Sequence, residues 1–191
     1  MKSKIAIIGS GNVGKSLLKG ITTAGYEVRM STRENLLEIT SGADIVILAI
    51  PFSAIDEVIK NIGASLKDKI VIDVTNALTP EFQLALGFST SGAEELQKKI
   101  PEAKVIKGFN TIFAQHMDSG KMKGKTLTAF SAGDDELAKS KVLELQKSIG
   151  FDAVDAGPLA NSRQLEALGF FNIQLGYFLN NGTETGFVYS H

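Results

Sequence analysis

The first residues whose spacing implies chemistry are Gly9-Ser10-Gly11-Asn12-Val13-Gly14. This G-x-G-x-x-G follows an apolar run, Lys4 to Ile8, and opens a helical pattern. In that context the spacing holds the pyrophosphate of a dinucleotide. Gly9 serves the tight turn, Gly11 lets the pyrophosphate approach the backbone, and Gly14 lets helix and strand pack closely. The amides of Asn12 and Val13 then face an anion at the positive end of the helix. About 20 residues further on, folds that take the unphosphorylated nucleotide carry an acid for the ribose hydroxyls. This chain has Ser31-Thr32-Arg33 there. A carboxylate would repel a 2′-phosphate, whereas a guanidinium and two hydroxyls would bind it. The cofactor expected is therefore NADP(H). Glu34 lies past the arginine and reads as the start of a short turn.

Two later segments complete such a cleft, since ligands lie outside the carboxyl ends of the strands. Ile50-Pro51-Phe52 and Thr75-Asn76-Ala77 each follow an apolar strand pattern and would flank the nicotinamide half. Pro51 reads equally well as a strand terminator and Asn76 as a turn former. Other chemistries find little support. No histidine–carboxylate pair, serine triad or lysine in catalytic register is evident. The chain has no cysteine and two histidines, His116 and His191, so no metal site is expected. His116 follows Phe109-Asn110-Thr111-Ile112 near the expected cleft, where it serves either function or an ordinary packing partner. Asn110 and His116 are the only side chains that suggest themselves for a catalytic part. The net charge of −1 comes without a basic stripe, which argues against nucleic acid. No segment approaches the roughly 20 apolar residues of a membrane span, and the apolar start is too short for a signal peptide. A cytoplasmic protein is expected.

Strands and helices alternate along the chain. Helical patterns cover Asn12 to Ala24, the stretch after Ser53 (read as a cap), the stretch after Ser91, Asp134 to Ile149 and Ser162 to Asn181. Strand patterns cover Tyr26 to Met30, Asp44 to Ile50, Ile70 to Val74, Lys104 to Phe109, Thr126 to Ser131 and, as an edge, Asp152 to Asp155. Ser91 and Glu94 stand in capping-box register. The pattern predicts an α/β fold, a Rossmann-type doubly wound and mainly parallel sheet, with residues 1–191 as one NADP-binding domain. Only Glu34 to Ala43 separates the second strand from the third, too little for a full crossover. A trimmed sheet edge is expected there, with one helical turn around Leu36, Leu37 and Ile39.

Six segments together resemble a known family: GSGNVG (residues 9–14), STR (31–33), AIPF (49–52), DVTNAL (73–78), KGFNT (107–111) and, most specifically, DAGPLANSRQLE (155–166). They are similar to the NADPH-dependent oxidoreductases that reduce the 8-hydroxy-5-deazaflavin coenzyme. The cytoplasmic domain of membrane metalloreductases looks similar too. The resemblance implies direct hydride transfer from NADPH to a flat ring, deazaflavin- or flavin-like, stacked on the nicotinamide. Such transfer needs closeness and orientation more than acid–base groups. Family members often carry a histidine near the position of Asn110 and hydroxyl residues early in the last helix, where this chain has Ala167 and Gly169. The acceptor is therefore left open by the sequence. A non-catalytic NADPH sensor and a small imine or carbonyl reductase are the other readings.

The last helix carries Leu165, Leu168, Phe171, Leu175 and Phe178 on one stripe, widened by Phe170, Ile173 and Tyr177. A helix apolar nearly all round is usually buried. Residues 162–181 are expected to cover the acceptor pocket, a two-fold partner, or both; a monomer with this helix wholly on its own sheet is the other reading. Arg163 could pair with Glu166, contact Asp155, or face an anionic acceptor.

Overall fold

The computed structural model describes residues 2–31 and 35–190. Four short apolar strands form its centre: β1 (Ile5–Ile8), β3 (Ile45–Leu48), β4 (Ile70–Asp73) and β5 (Lys104–Gly108). They are buried on both faces, which is why β1 and β3 read as continuous apolar runs, whereas β4 ends on Asp73 and β5 carries Lys107. The sheet continues through β2 (Val28–Met30), β8 (Thr128–Ala132) and β9 (Asp152–Asp155) in the order β2-β1-β3-β4-β5-β8-β9. Only the β5–β8 pair is antiparallel. The remaining strands, β6 (Lys121–Met122) and β7 (Lys125–Thr126), form a separate hairpin. Lys123 and Gly124 at its tip both have positive φ, as a two-residue hairpin loop requires. Two strands of two residues each leave no alternating pattern, and the sequence reading did not contain them.

The pleat divides the core into two layers. Ile5, Ile7, Ile45, Ile47 and Ile72 face α1 (Asn12–Thr23) and α5 (Glu136–Ile149) through Leu17, Ile21, Val142 and Leu145. Ala6, Ile8, Val46, Leu48 and Val71 face α2 (Leu36–Ser41), α3 (Ile55–Ile62) and α4 (Gly92–Lys99) through Ile39, Ile55, Ile62 and Leu96. Each fully buried isoleucine contributes about 1.5–3 kcal/mol, so this double layer fixes the strand ends that carry the site.

The edge is trimmed as expected. α2 has six residues, and β2 is the outermost strand, at three residues shorter than the Tyr26–Met30 expectation. Two other expectations need correction. Ser53 does not cap a helix: it lies inside a 3₁₀ turn, Phe52–Ala54, and α3 starts after it without a side-chain cap. The last helix, α6, covers Ser162–Ile173 and then widens into a π-helical turn, Gln174–Phe178, rather than running to residue 181. Such turns recur at functional sites.

Candidate functional site

β1 has β2 on one side and β3 on the other, so the chain reverses its winding direction at β1. The crevice at that switch point is where open α/β sheets bind ligands. The loop leaving β1 has the geometry the glycine spacing implies. Gly9 has φ +114°, and a Cβ on it would lie 2.1 Å from the Ala49 carbonyl oxygen. A Cβ on Gly14 would lie 2.1 Å from the Gly9 carbonyl oxygen, so helix and loop touch there. A Cβ on Gly11 would meet nothing within 4 Å. Gly11 is also the N-cap of α1, which has neither a side-chain cap nor an acid in its first turn. An exposed, uncapped helix N-terminus above an open glycine is a fitting cradle for a pyrophosphate. Ser10 and Asn12 are exposed beside it, and Val13 is half-buried.

A cleft of about 270 Å³ starts at Asn12 and Val13 and is walled by Asn76, Asn110, Thr111, Ile112, Phe113, Gly169, Asn172, Ile173 and Tyr177, among others. The loops after β1, β4 and β5 and the last helix therefore meet in one place. Asn76 and Asn110 are joined there. Asn76 Nδ2 donates to the Asn110 carbonyl at 2.9 Å, and Asn110 Nδ2 donates to Asn76 Oδ1 at 2.8 Å and to the Leu165 carbonyl at 2.7 Å. Phe109, just before, is held at φ +62° and fully buried, which turns the chain from β5 into the cleft wall.

The other sequence-selected residues distribute around this core of the site. Ile50 packs beside Gly9, Phe52 lies against Gly92 at the start of α4, and Pro51 is exposed. Ser31 is buried, its N–H donating to the Ile7 carbonyl at 2.8 Å. Ala77 is buried, and its carbonyl accepts from the Ala85 amide at 2.8 Å, which closes the loop after β4. Thr32, Arg33 and Glu34 lie outside the described residues. His116 is buried and has an ordinary partner: Nε2 lies 3.2 Å from the Thr183 carbonyl oxygen, pinning the C-terminal segment. Among the described residues no group of three or more histidines and acids is arranged to hold a metal, and no helix is long and apolar enough to cross a membrane.

The sequence reading missed what fixes the last helix. Lys107, fully buried in β5, donates to Asp73 Oδ2 at 2.8 Å, to Glu166 Oε1 at 2.8 Å and to the Thr75 carbonyl at 2.6 Å. Burial opposes its charge, but the two carboxylates outweigh burial and hold the ammonium above its ordinary pKa. Glu166 also accepts from the Gly92 and Ala93 amides at the start of α4. Arg163 pairs with neither Glu166 nor Asp155. Its guanidinium instead forks onto both oxygens of Glu94, holding that carboxyl below the usual range. Ser91 does cap α4 by accepting from the Glu94 amide, and its hydroxyl lies 2.7 Å from that of Ser162. One signal for the buried lysine was available. Asp73 and Lys107 stand opposite each other in adjacent central strands, where a lone charge would be costly.

The helix thus turns a mainly small and polar face inward, Ser162, Glu166, Gly169 and Asn172 with Leu165, while Phe171, Tyr177 and Phe178 are at least half exposed. Leu165 of the expected apolar stripe is buried, and the stripe's aromatic end at Phe171 and Phe178 is exposed in the single chain.

Comparison with known proteins agrees with this geometry. The family model described as NADP oxidoreductase coenzyme F420-dependent matches residues 4–77, which span the glycine loop through Asn76. A structure from Arthrobacter sp. FB24, provisionally assigned as an F420-dependent NADP-reductase, superposes over 99% of this chain and 100% of its own with a TM-score of 0.91 at 26% identity. Over residues 4–77 the chain is similar to this oxidoreductase family. The F420-dependent NADP reductase of Methanocaldococcus jannaschii is 30% identical over 134 residues, 65% of this chain and 58% of that enzyme. Metalloreductase STEAP3 of Rattus norvegicus is 28% identical over 180 residues, 86% of this chain. The chain spans 36% of the length of that metalloreductase. The family match lies in the nucleotide half, and the structural match extends the likeness through the last helix.

Proposed function

We propose that this protein is an NADP(H)-dependent oxidoreductase that passes a hydride between the nicotinamide and a small flat redox ring, deazaflavin- or flavin-like. The observation that carries the reading is the convergence of Asn12, Asn76, Asn110 and the last helix on one cleft beside the open Gly11 cradle. NADPH supplies the hydride. The chain supplies position: the amides of α1 hold the pyrophosphate, Ile50, Pro51 and Phe52 with Asn76 and Ala77 border the nicotinamide half, and the apolar wall of Ile112, Phe113, Ile173 and Tyr177 receives a ring. Similarity to that family over residues 4–77 supports the cofactor and the reaction type. Stopped-flow mixing with NADPH and a panel of flavins and deazaflavin tests the reading: acceptor-dependent loss of nicotinamide absorbance is expected. Tight NADPH binding with no oxidation by any ring would favour a sensor instead.

Ser31, Thr32 and Arg33 are proposed to hold the 2′-phosphate. Arg33→Ala is expected to weaken NADPH binding by about 1.5–3 kcal/mol, the range for a hydrogen bond to a charged group, with NADH almost unaffected. Equal losses for both nucleotides in titration calorimetry would remove this role.

A homodimer is also proposed. Phe171, Phe178 and Leu179 are 53%, 50% and 64% exposed, and Phe82 packs edge-on to Phe178, extending the patch. Contiguous apolar surface of this kind commonly marks an interface. Sedimentation should give twice the 20.4 kDa chain mass, and Phe171→Asp should return the monomer. A parent protein that sediments as one chain at micromolar concentration rejects the dimer.

A further inference from the structure

The amide pair in the cleft leaves one buried group without a partner. Asn110 is 6% exposed, and both hydrogens of its Nδ2 are used, one on Asn76 Oδ1 and one on the Leu165 carbonyl. Its Oδ1 is buried with no partner. The orientation is not arbitrary. The Leu165 carbonyl can only accept, so the nitrogen must face it and the oxygen must lie on the other side. Asn76 is fixed by the same logic, because its Nδ2 donates to the Asn110 carbonyl. The second hydrogen of Asn76 Nδ2 has no partner among the described residues. Both residues line the cleft, and between them they leave one buried acceptor and one donor unused.

An orphaned buried amide oxygen costs about 1–3 kcal/mol, and such a group is usually completed by a water, an ion or a ligand. Among the described residues, the buried side-chain atoms without a partner include those of Thr75, Ser131 and Gln146, but only the one on Asn110 belongs to a residue that lines this cleft. The complement of an adjacent acceptor and donor is a primary carboxamide, which presents an N–H and a C=O side by side. We infer that Asn110 Oδ1 accepts the carboxamide N–H of the nicotinamide, with Asn76 Nδ2 donating to the carboxamide oxygen, so that this pair fixes the rotation of the ring. The inference rests on the proposed dinucleotide reading. It gives Asn110 a specific task, holding the cofactor's ring, and no proton to transfer.

The test compares, by titration calorimetry, the binding of three oxidised dinucleotides to the parent protein and to Asn110→Ala. They are NADP⁺, its thionicotinamide analogue, which keeps the NH₂ group, and its 3-acetylpyridine analogue, in which a methyl group replaces it. The parent should bind the acetylpyridine analogue about tenfold more weakly than NADP⁺ and the thionicotinamide analogue more tightly than the acetylpyridine one, since it keeps the N–H that Asn110 accepts while sulfur replaces the oxygen to which Asn76 donates. In Asn110→Ala the ratio between NADP⁺ and the acetylpyridine analogue should collapse towards one. The parent comparison stands by itself if that variant fails to fold. Equal binding of NADP⁺ and the acetylpyridine analogue by the parent overturns the inference. So does an undiminished ratio in folded Asn110→Ala, which would assign the orphaned oxygen to another group, such as an N–H of the acceptor ring. If none of the three dinucleotides binds, the cofactor reading itself falls and takes this inference with it; discrimination lost while all three bind removes the inference alone.

Discussion

Lys107→Met is expected to lower the unfolding free energy by about 3–5 kcal/mol, the usual cost of removing one partner from a buried ion cluster. The parent lysine lies between Asp73 and Glu166 with no exposed surface. Without it, Asp73 retains the Thr75 amide and Glu166 retains the two amides of α4, but two carboxylates share a buried site with no cation. Replacing all three groups together, Lys107→Met with Asp73→Asn and Glu166→Gln, should recover most of the loss, because the penalty is the uncompensated charge and not the absent lysine. Urea unfolding of the parent, the single variant and the triple variant measures both effects. A loss below about 1 kcal/mol in the single variant would show that the cluster behaves like an exposed pair.

The pH dependence has a definite sign. The Lys107 pKa is raised in the fold. Its contribution is complete below the ordinary lysine value and is lost as pH rises through the higher folded value. The deficit of Lys107→Met should therefore stay constant through neutral pH and shrink only in strong alkali. Glu94 works in the opposite direction. Its bond to Arg163 lowers its pKa, so the stability it adds is present above the ordinary carboxylate range and is lost as pH falls through the lowered value.

How much of this was legible follows from which interactions are local. The glycine spacing, the continuous apolar strands and the short segment before Ala43 are local, and each found its counterpart in the fold. The last helix shows where periodicity fails. Counting apolar residues selects the stripe Leu165, Leu168, Phe171, Leu175 and Phe178, yet of these only Leu165 is fully buried, beside Ser162, Glu166, Gly169 and Asn172. The partners of Glu166, Gly169 and Asn172, namely Lys107, Asn110 and Thr111, lie about sixty residues earlier in the chain, and a hydrophobic count scores a satisfied buried carboxylate as surface. The Ser53 reading failed for a related reason. The 3₁₀ turn after Pro51 displaced the helix start beyond the serine, a shift that residue type alone does not reveal. The site was more legible than the helix that closes it, because the strand-end loops that build it are set by sheet topology.

Gly169→Ala should separate the two roles of that helix. Alanine favours a helix interior over glycine by about 1 kcal/mol, so propensity alone predicts a gain in stability. The surroundings oppose it. A Cβ at 169 would lie 2.5 Å from Asn76 Oδ1, 2.9 Å from Asn110 Nδ2 and 2.8 Å from the Asn110 carbonyl oxygen. Asn76 could swing aside, but the carbonyl is backbone and cannot move without displacing the strand-end loop. Overpacking of this kind costs about 1–3 kcal/mol, which exceeds the propensity gain, so a net loss of up to about 2 kcal/mol is expected. The larger effect should fall on the cleft, since the methyl group relieves its clash by parting the Asn76–Asn110 pair or lifting α6. NADP⁺ affinity is expected to fall about tenfold, the cost of losing one well-made hydrogen bond beside a buried orphan. Gln164→Ala, on the exposed side of the same helix, should leave affinity unchanged. Parent-like binding of NADP⁺ by Gly169→Ala would mean that the contact between the last helix and the two asparagines has no part in seating the nucleotide.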